Sequence, residues 1–210
     1  MDSLEFDKWV DTYERDVFRK KDVYPFSGYF QHVDNLKTAL ASKENCKVLD
    51  IGIGTGLMHS IISSEYNYQL VGIDFSEDMC KFVSKRFPIA LIKKWDIQEA
   101  RLPNEIEDKS FDFIVSAYCL HHFSNPVKKE IIDRYSKLLD VHGRFILIDI
   151  SFDDNNAKSL QKKIAGNSWD SDEEDGYMKK HEILKLLELD YKVEYTKVSE
   201  CSASCALSRR

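Results

Sequence analysis

The sequence predicts an α/β fold in which a doubly wound, mostly parallel sheet ends on an antiparallel strand. Three observations predict it. Short apolar runs recur along the chain, each followed by a stretch with helical spacing, which is the pattern of βα units. The first run, "KVLDIGIGTG" (residues 47–56), carries Asp50 near its end and then Gly52, Gly54 and Gly56, a backbone stripped of side chains that opens a helix. The final segment changes to short alternating runs, "YKVEYTKV" and "CSASCALS", which read as an antiparallel close to the sheet.

Each element has a local reason. Phe6, Trp9, Val10, Tyr13 and Val17 recur at helical spacing and predict a helix within residues 3–22. "VYPFSGYFQHVDNLKTAL" places Pro25 and Gly28 ahead of a periodic helix from Tyr29 to Leu40. "KVLDI" is strand one, and "LMHSIISSEY" is the helix that opens after the glycines. "YQLVGID" is strand two, and "SEDMCKFVSKRF" is a helix with Ser76 as its N-cap. "IALIKKWD" and "FDFIVSAY" are strands three and four. After Pro126 comes the helix "VKKEIIDRYSKLLD", and Gly143 leads into strand five, "GRFILIDI". "NNAKSLQKKIAGNSW" and "GYMKKHEILKLLELD" are helical in pattern. Between them "DSDEED" reads as a solvated loop. A chain of 210 residues with no repeat, low-complexity tract or linker predicts one domain over 1–210: an N-terminal helical segment (1–42) and a core (43–210).

Composition narrows the function classes. A net charge of −6 argues against a broad phosphate-binding surface, so nucleic acid is disfavoured as a partner. Five cysteines without tight spacing suit a reducing compartment. The acidic N-terminus has no apolar h-region, and no apolar run approaches a membrane span; a cytoplasmic protein is expected. Cys201 and Cys205 lie in a predicted strand at a spacing that would put both on one side, and they do not match a zinc-finger pair. No metal site is expected.

A glycine turn between strand and helix, at the carboxyl edge of a parallel sheet, is a nucleotide-type ligand site. The dinucleotide fingerprint G-x-G-x-x-G fails here because Leu57 occupies the third glycine position. Asp50 would also repel a pyrophosphate and suits a ligand with positive charge. "VLDIGIGTG" resembles the first motif of the class I S-adenosylmethionine-dependent methyltransferases, of the small-molecule type, and the order of elements from Val48 to Ser208 fits the same family.

That resemblance implies a Rossmann-like sheet of seven strands with the last antiparallel, a helical lid from the N-terminal segment, and S-adenosyl-L-methionine as cofactor. By resemblance Asp50, Gly52, Gly54 and Gly56 form the cofactor turn and Asp74, ending strand two, takes the ribose hydroxyls. Phe75 and Met79 pack near the adenine, Asp96 with Ile97 after strand three takes its amino group, and the backbone of Ser116 and Ala117 lines the methionine moiety. Tyr13 resembles an aromatic that closes over the cofactor. Tyr24, Phe26 and Tyr29 are candidates for a substrate wall, and Trp169 and Tyr177 lie where such enzymes insert a substrate-facing segment.

Methyl transfer needs a positioned nucleophile, and a base only when that nucleophile arrives protonated. In "CLHHF", His121 is the candidate catalytic base, on the expectation that adjacent His121 and His122 do not both face one pocket. "SAYCLHHF" lacks the proline-rich motif of base-amino methylating enzymes and the Pro-Cys of cytosine-C5 enzymes. "DISFDDNN", with Asp149, Asp153, Asp154 and Asn155, reads as a loop and helix cap, since strand four offers no carboxylate to complete a catechol-type magnesium site. Cys119 alone is thin support for arsenite chemistry. The expected function is methyl transfer to a small-molecule acceptor. The alternative is a non-catalytic S-adenosylmethionine-binding protein of the same fold, and a nicotinamide oxidoreductase is disfavoured by Leu57. The acceptor and the oligomeric state are not encoded legibly.

Overall fold

Strands buried on both faces need apolar residues at successive positions, and the central strands supply them. In the computed structural model, which describes residues 12–210, β1 (Lys47–Ile51) runs through the middle of an eight-stranded sheet. Val48 enters the core layer on one face, while Leu49 and Ile51 enter the layer on the other. Strands β4 (Phe111–Ala117) and β5 (Leu139–Phe152) repeat the alternation, with Val115 and Ile148 on the first side and Ile114 and Leu147 on the second. Helices therefore cover both faces.

The strand order is β3 (Leu91–Lys94), β2 (Gln69–Asp74), β1, β4, β5, β8 (Ser202–Arg209), β7 (Tyr191–Ser199). Pairings among β1 to β5 along this path are parallel; β8 runs antiparallel to both β5 and β7. Seven strands form the expected path. The eighth, β6 (Met178–Lys179), is two residues long and pairs with Ser151 and Phe152 of β5. It takes the first turn of the predicted helix "GYMKKHEILKLLELD", so that helix begins only at Lys180. The chain turns back from β3 to β4 across β1, which makes the β1/β4 edge the switch point where ligands enter such sheets.

Other differences are local. The helix after Pro126 ends at Ser136, because Leu139 already pairs with Phe111. The pair Leu138-Leu139 satisfies both helical and strand periods, and the sheet wins. Cys201 lies in the turn before β8 and packs into one core layer, whereas Cys205, inside β8, packs into the other. The expectation that both face one side fails because the strand starts one residue after Cys201.

Of the predicted first helix, Tyr13–Arg19 is described; Phe6, Trp9 and Val10 lie outside the described residues. The helix Tyr29–Leu40 buries Tyr29, His32, Val33, Leu36 and Leu40 at three- and four-residue spacing. The segment joining these helices is fastened to the turn between β7 and β8. The hydroxyls of Ser199 and Ser202 both donate to the Ser27 carbonyl, at 2.9 and 2.8 Å, and His32 Nε2 lies 3.1 Å from Ser202 Oγ. Burial pushes the His32 imidazole down to about 4 and keeps it neutral.

Candidate active site

The turn after β1 uses glycine for two different reasons. Gly52 has φ +74°, and a Cβ there would lie 2.3 Å from Cys119 Sγ, so the end of β4 presses directly on this backbone. Gly54 has φ +53°, and a Cβ there would meet nothing within 4 Å: its face is open. The Gly54 N–H donates to Asp74 Oδ2 at 2.8 Å, and the Ser76 N–H donates to Asp74 Oδ1 at 2.9 Å, so the turn is tied to the end of β2. Ser76 caps its helix as predicted, accepting from the Met79 N–H.

Asp50 is buried. Its Oδ2 lies 2.8 Å from His59 Nε2, whose Nδ1 lies 2.8 Å from the Tyr68 hydroxyl. The other oxygen, Oδ1, is buried without a partner among the described residues, and Asp50 lines the cavity. A buried carboxylate oxygen left without a donor is costly, and this one belongs to a residue that borders the cavity.

The cavity itself is about 340 Å³, within the ~300–1,000 Å³ range of small-molecule sites. It brings together residues that the sequence singled out on four separate strands. Asp50, Gly52, Gly54 and Gly56 form one wall; Asp74, Phe75 and Met79 a second; Asp96, Ile97 and Ala117 a third; Tyr13 and His121 also line it. Ser116 does not, because its side chain is fully buried within the sheet. Arg86 pairs with Glu14 and donates to the Thr55 carbonyl at 3.0 Å, which ties the helix carrying Tyr13 to the glycine turn.

Beyond the glycines the cavity becomes aromatic. Tyr118 holds φ +51°, a conformation rare for a bulky residue and the kind of strain that collects at functional sites. Its ring stacks on Tyr29 with centroids 5.5 Å apart, and Phe26 approaches at 5.7 Å. Tyr24 stacks on Trp169 at 4.8 Å, and its hydroxyl hydrogen-bonds that of Tyr177. Tyr24, Phe26 and Tyr29 line the cavity, whereas Trp169 and Tyr177 back it.

His121 is not the free base that the sequence suggests. Its Nδ1 lies 2.6 Å from Asp149 Oδ1, its backbone N–H donates to Asp149 Oδ2 at 2.9 Å, and its Nε2 lies 3.3 Å from Glu173 Oε2. Burial disfavours the charged ring, but the Asp149 carboxylate and then Glu173 outweigh it and raise the pKa to about 9. Burial would raise Glu173 in turn; contacts with His121 and His122 hold it well below the usual carboxylate range. His122 also lines the cavity, with Nδ1 2.6 Å from Glu173 Oε1. Both histidines thus serve one site, against the expectation, because a 3₁₀ turn (Leu120–His122) places them side by side and Glu173 reaches both.

Asp149 and Glu173 escaped the sequence reading. Asp149 belongs to β5, as the strand "GRFILIDI" predicts, but β5 runs on through Ser151 and Phe152, so "SF" in "DISFDDNN" is strand and not loop. Of that stretch only Asp154 acts as the expected cap, accepting from the Ala157 N–H. Glu173 lies within the acidic run read as solvated; its flanking aromatics Trp169 and Tyr177 were the only signal that the run folds inward.

Asp74 makes a pH-dependent prediction. Burial raises its pKa to about 6 against the lowering N–H bonds from Ser76 and Gly54. A folded pKa above the unfolded value of about 3.9 means that the stabilisation is full at low pH and is lost as pH rises through about 6. The ligand-free wild type is therefore expected to lose about 2 kcal/mol relative to Asp74→Asn between pH 4.5 and 7.5. Urea unfolding of both proteins at the two pH values measures it, and parallel profiles would contradict it.

A family model described as methyltransferase domain matches residues 48–143. An uncharacterized methyltransferase of Anoxybacillus flavithermus is 31% identical over 150 residues; the match covers 70% of this chain and 66% of that relative, so the chain spans about two thirds of the relative's length. Among solved structures, the magnesium protoporphyrin IX methyltransferase of Synechocystis PCC 6803 with bound SAH superposes with a TM-score of 0.68 at 18% identity, covering 100% of each chain. The plantazolicin methyltransferase in complex with a monoazolic desmethyl analogue and SAH gives a TM-score of 0.67 at 19% identity, covering 99% of this chain and 95% of its own.

Proposed function

The chain belongs to the methyltransferase-domain family, and from that premise we propose that it transfers a methyl group from S-adenosylmethionine to a small-molecule acceptor. One observation carries the reading: the open face of Gly54, the unpartnered Oδ1 of Asp50 and the raised Asp74 all border a cavity that continues into an aromatic chamber. The first three features fit the cofactor, and the chamber, roofed by Tyr24, Phe26 and Tyr29, suits a small acceptor. S-adenosylmethionine supplies an electrophilic methyl group when bound. Asp74 accepts from its ribose hydroxyls, and Asp50 Oδ1 meets its positively charged end. Phe75, Met79 and Ile97 flank the adenine, with Asp96 at its edge. Tyr13 closes the site from the N-terminal segment.

Two structural methyltransferase neighbours, named for a magnesium porphyrin and for plantazolicin, bear the names of compounds and not of polymers, which supports an acceptor of modest size. No described helix is long and apolar enough to cross a membrane. A cytoplasmic setting is part of the same proposal and agrees with five free cysteines. His121 is engaged by Asp149 and Glu173 on both ring nitrogens and is not free to serve as a base, so positioning of the acceptor supplies much of the acceleration.

The test is transfer of labelled methyl from S-adenosylmethionine to a panel of small hydroxyl, amine and thiol acceptors, beside thermal unfolding with S-adenosylhomocysteine or NAD. Label is expected in one acceptor class, and protection from S-adenosylhomocysteine alone. A protein that millimolar S-adenosylhomocysteine fails to stabilise would sink the reading.

A further inference from the structure

We propose that His121, His122 and Glu173 bind a divalent transition-metal ion, zinc in class, at the acceptor end of the cavity. The three side chains offer ligand atoms within 4.8 Å of one another. His121 Nε2 and Glu173 Oε2 are 3.3 Å apart, the spacing of two ligands about 2.0–2.1 Å from a tetrahedral ion. Two imidazoles and one carboxylate form a borderline donor set that suits zinc and its neighbours, whereas magnesium and calcium prefer oxygen alone. Three protein ligands leave a position open toward the cavity that all three residues line.

The surroundings are those of a built site. Asp149, fully buried, accepts from His121 at both the backbone N–H and Nδ1, which leaves Nε2 presented to the ion; carboxylates commonly orient metal-binding histidines in this way. The loop carrying Glu173 is clamped to the histidine turn independently of that pair. Lys128, buried beneath both, donates to the carbonyls of Phe123 and Gly176. Gly176 packs so closely that a Cβ there would lie 1.8 Å from the His121 carbonyl oxygen. Glu173 is therefore held against both histidines by contacts that do not use its carboxylate.

The ion's role in transfer rests on the methyltransferase reading, although its binding does not. An acceptor thiol or hydroxyl would occupy the open position as its anion, its proton passing to solvent. The anion then attacks the methyl carbon, and the carbon–sulfur bond breaks with its electron pair staying on sulfur.

The experiment uses the full chain stripped with a chelator and titrated with zinc, and with cobalt(II) as a visible probe. One ion per chain with submicromolar affinity is expected, with cobalt giving the absorption of a four- or five-coordinate centre. His122→Ala and Glu173→Gln should each weaken zinc binding at least ~100-fold, while Asp149→Asn should weaken it by about 10–100-fold, the usual effect of losing a carboxylate behind a histidine ligand. Circular dichroism melts of each variant establish that it is folded. Substoichiometric metal in the wild type, or equal affinity in folded Glu173→Gln, would overturn the site and leave a proton-only network. Calorimetry with S-adenosylhomocysteine on the same samples separates the two readings. Ligand binding without zinc binding removes the metal site alone; zinc binding without ligand binding removes its role in transfer.

Discussion

Gly54→Val is expected to weaken S-adenosylhomocysteine binding at least ~100-fold, about 2.7 kcal/mol, while leaving one cooperative unfolding transition. A Cβ at this position meets no protein atom within 4 Å, so the fold has room for the side chain. The room is the cavity, however, and the valine methyls would stand where a ligand must approach the backbone. The φ of +53° adds strain on the order of 1–3 kcal/mol for a non-glycine residue, which lowers the melting temperature without emptying the core. Gly54→Ala separates the two effects. It carries much of the strain and less bulk, so its stability loss should be comparable and its affinity loss smaller. Calorimetric titration of the three proteins decides; a valine variant that binds like wild type would mean that the turn faces no ligand.

The second large effect is on stability. Asp149→Ala is expected to cost about 3–5 kcal/mol, the range for removing one partner of a buried ion pair. Asp149 is fully buried and accepts from the His121 backbone, the His121 ring and the Ile150 N–H. Its pKa lies below the usual carboxylate value: burial works to raise it, and the His121 charge and hydrogen bond more than reverse that. Alanine would strand the imidazole beside Glu173 alone and leave two N–H groups unsatisfied inside the protein. Urea unfolding in the presence of a chelator, at pH 7 with unchanged m-value, gives the number. A loss under 1 kcal/mol would mean that water or a rearranged side chain replaces the carboxylate.

Much of the proposed cofactor side was legible in the sequence because its residues are marked locally. Gly54 and Asp74 are separated in sequence, yet each is marked by its place at the end of an apolar strand, and parallel pairing of β1 with β2 brings those ends together. The proposed acceptor side was less legible because its partners meet only in three dimensions. His121 and Asp149 are neighbours through the pairing of β4 with β5, and the predicted strand "GRFILIDI" does not say which side chain meets Asp149 at its end. Glu173 depends on a loop whose clamp is Lys128, a residue that reads as one of many surface lysines on a polar helix. His59 was hidden for the same reason. Its helical position was predicted, but its contact with Asp50 depends on how the helix rolls against the sheet. Fold class survives such gaps because burial on both sheet faces is written at nearly every central strand position, whereas a site rests on a few side chains.

The seat of the N-terminal segment has a consequence for how the protein is made. His32 and Ser202 are 170 residues apart, and Ser27 is held by the same serine turn. A ribosome adding ~5–20 residues per second emits the anchor roughly 10–30 seconds after the segment that needs it. During that interval Phe26 and Tyr29 have each other, Tyr13 and then Tyr118 to pack on, but Tyr24 has left the tunnel well ahead of its partners Trp169 and Tyr177. The nascent chain therefore exposes an aromatic surface for holdase chaperones and has no finished chamber. The aromatic chamber is complete only after translation has passed residue 202, however early the glycine turn has formed.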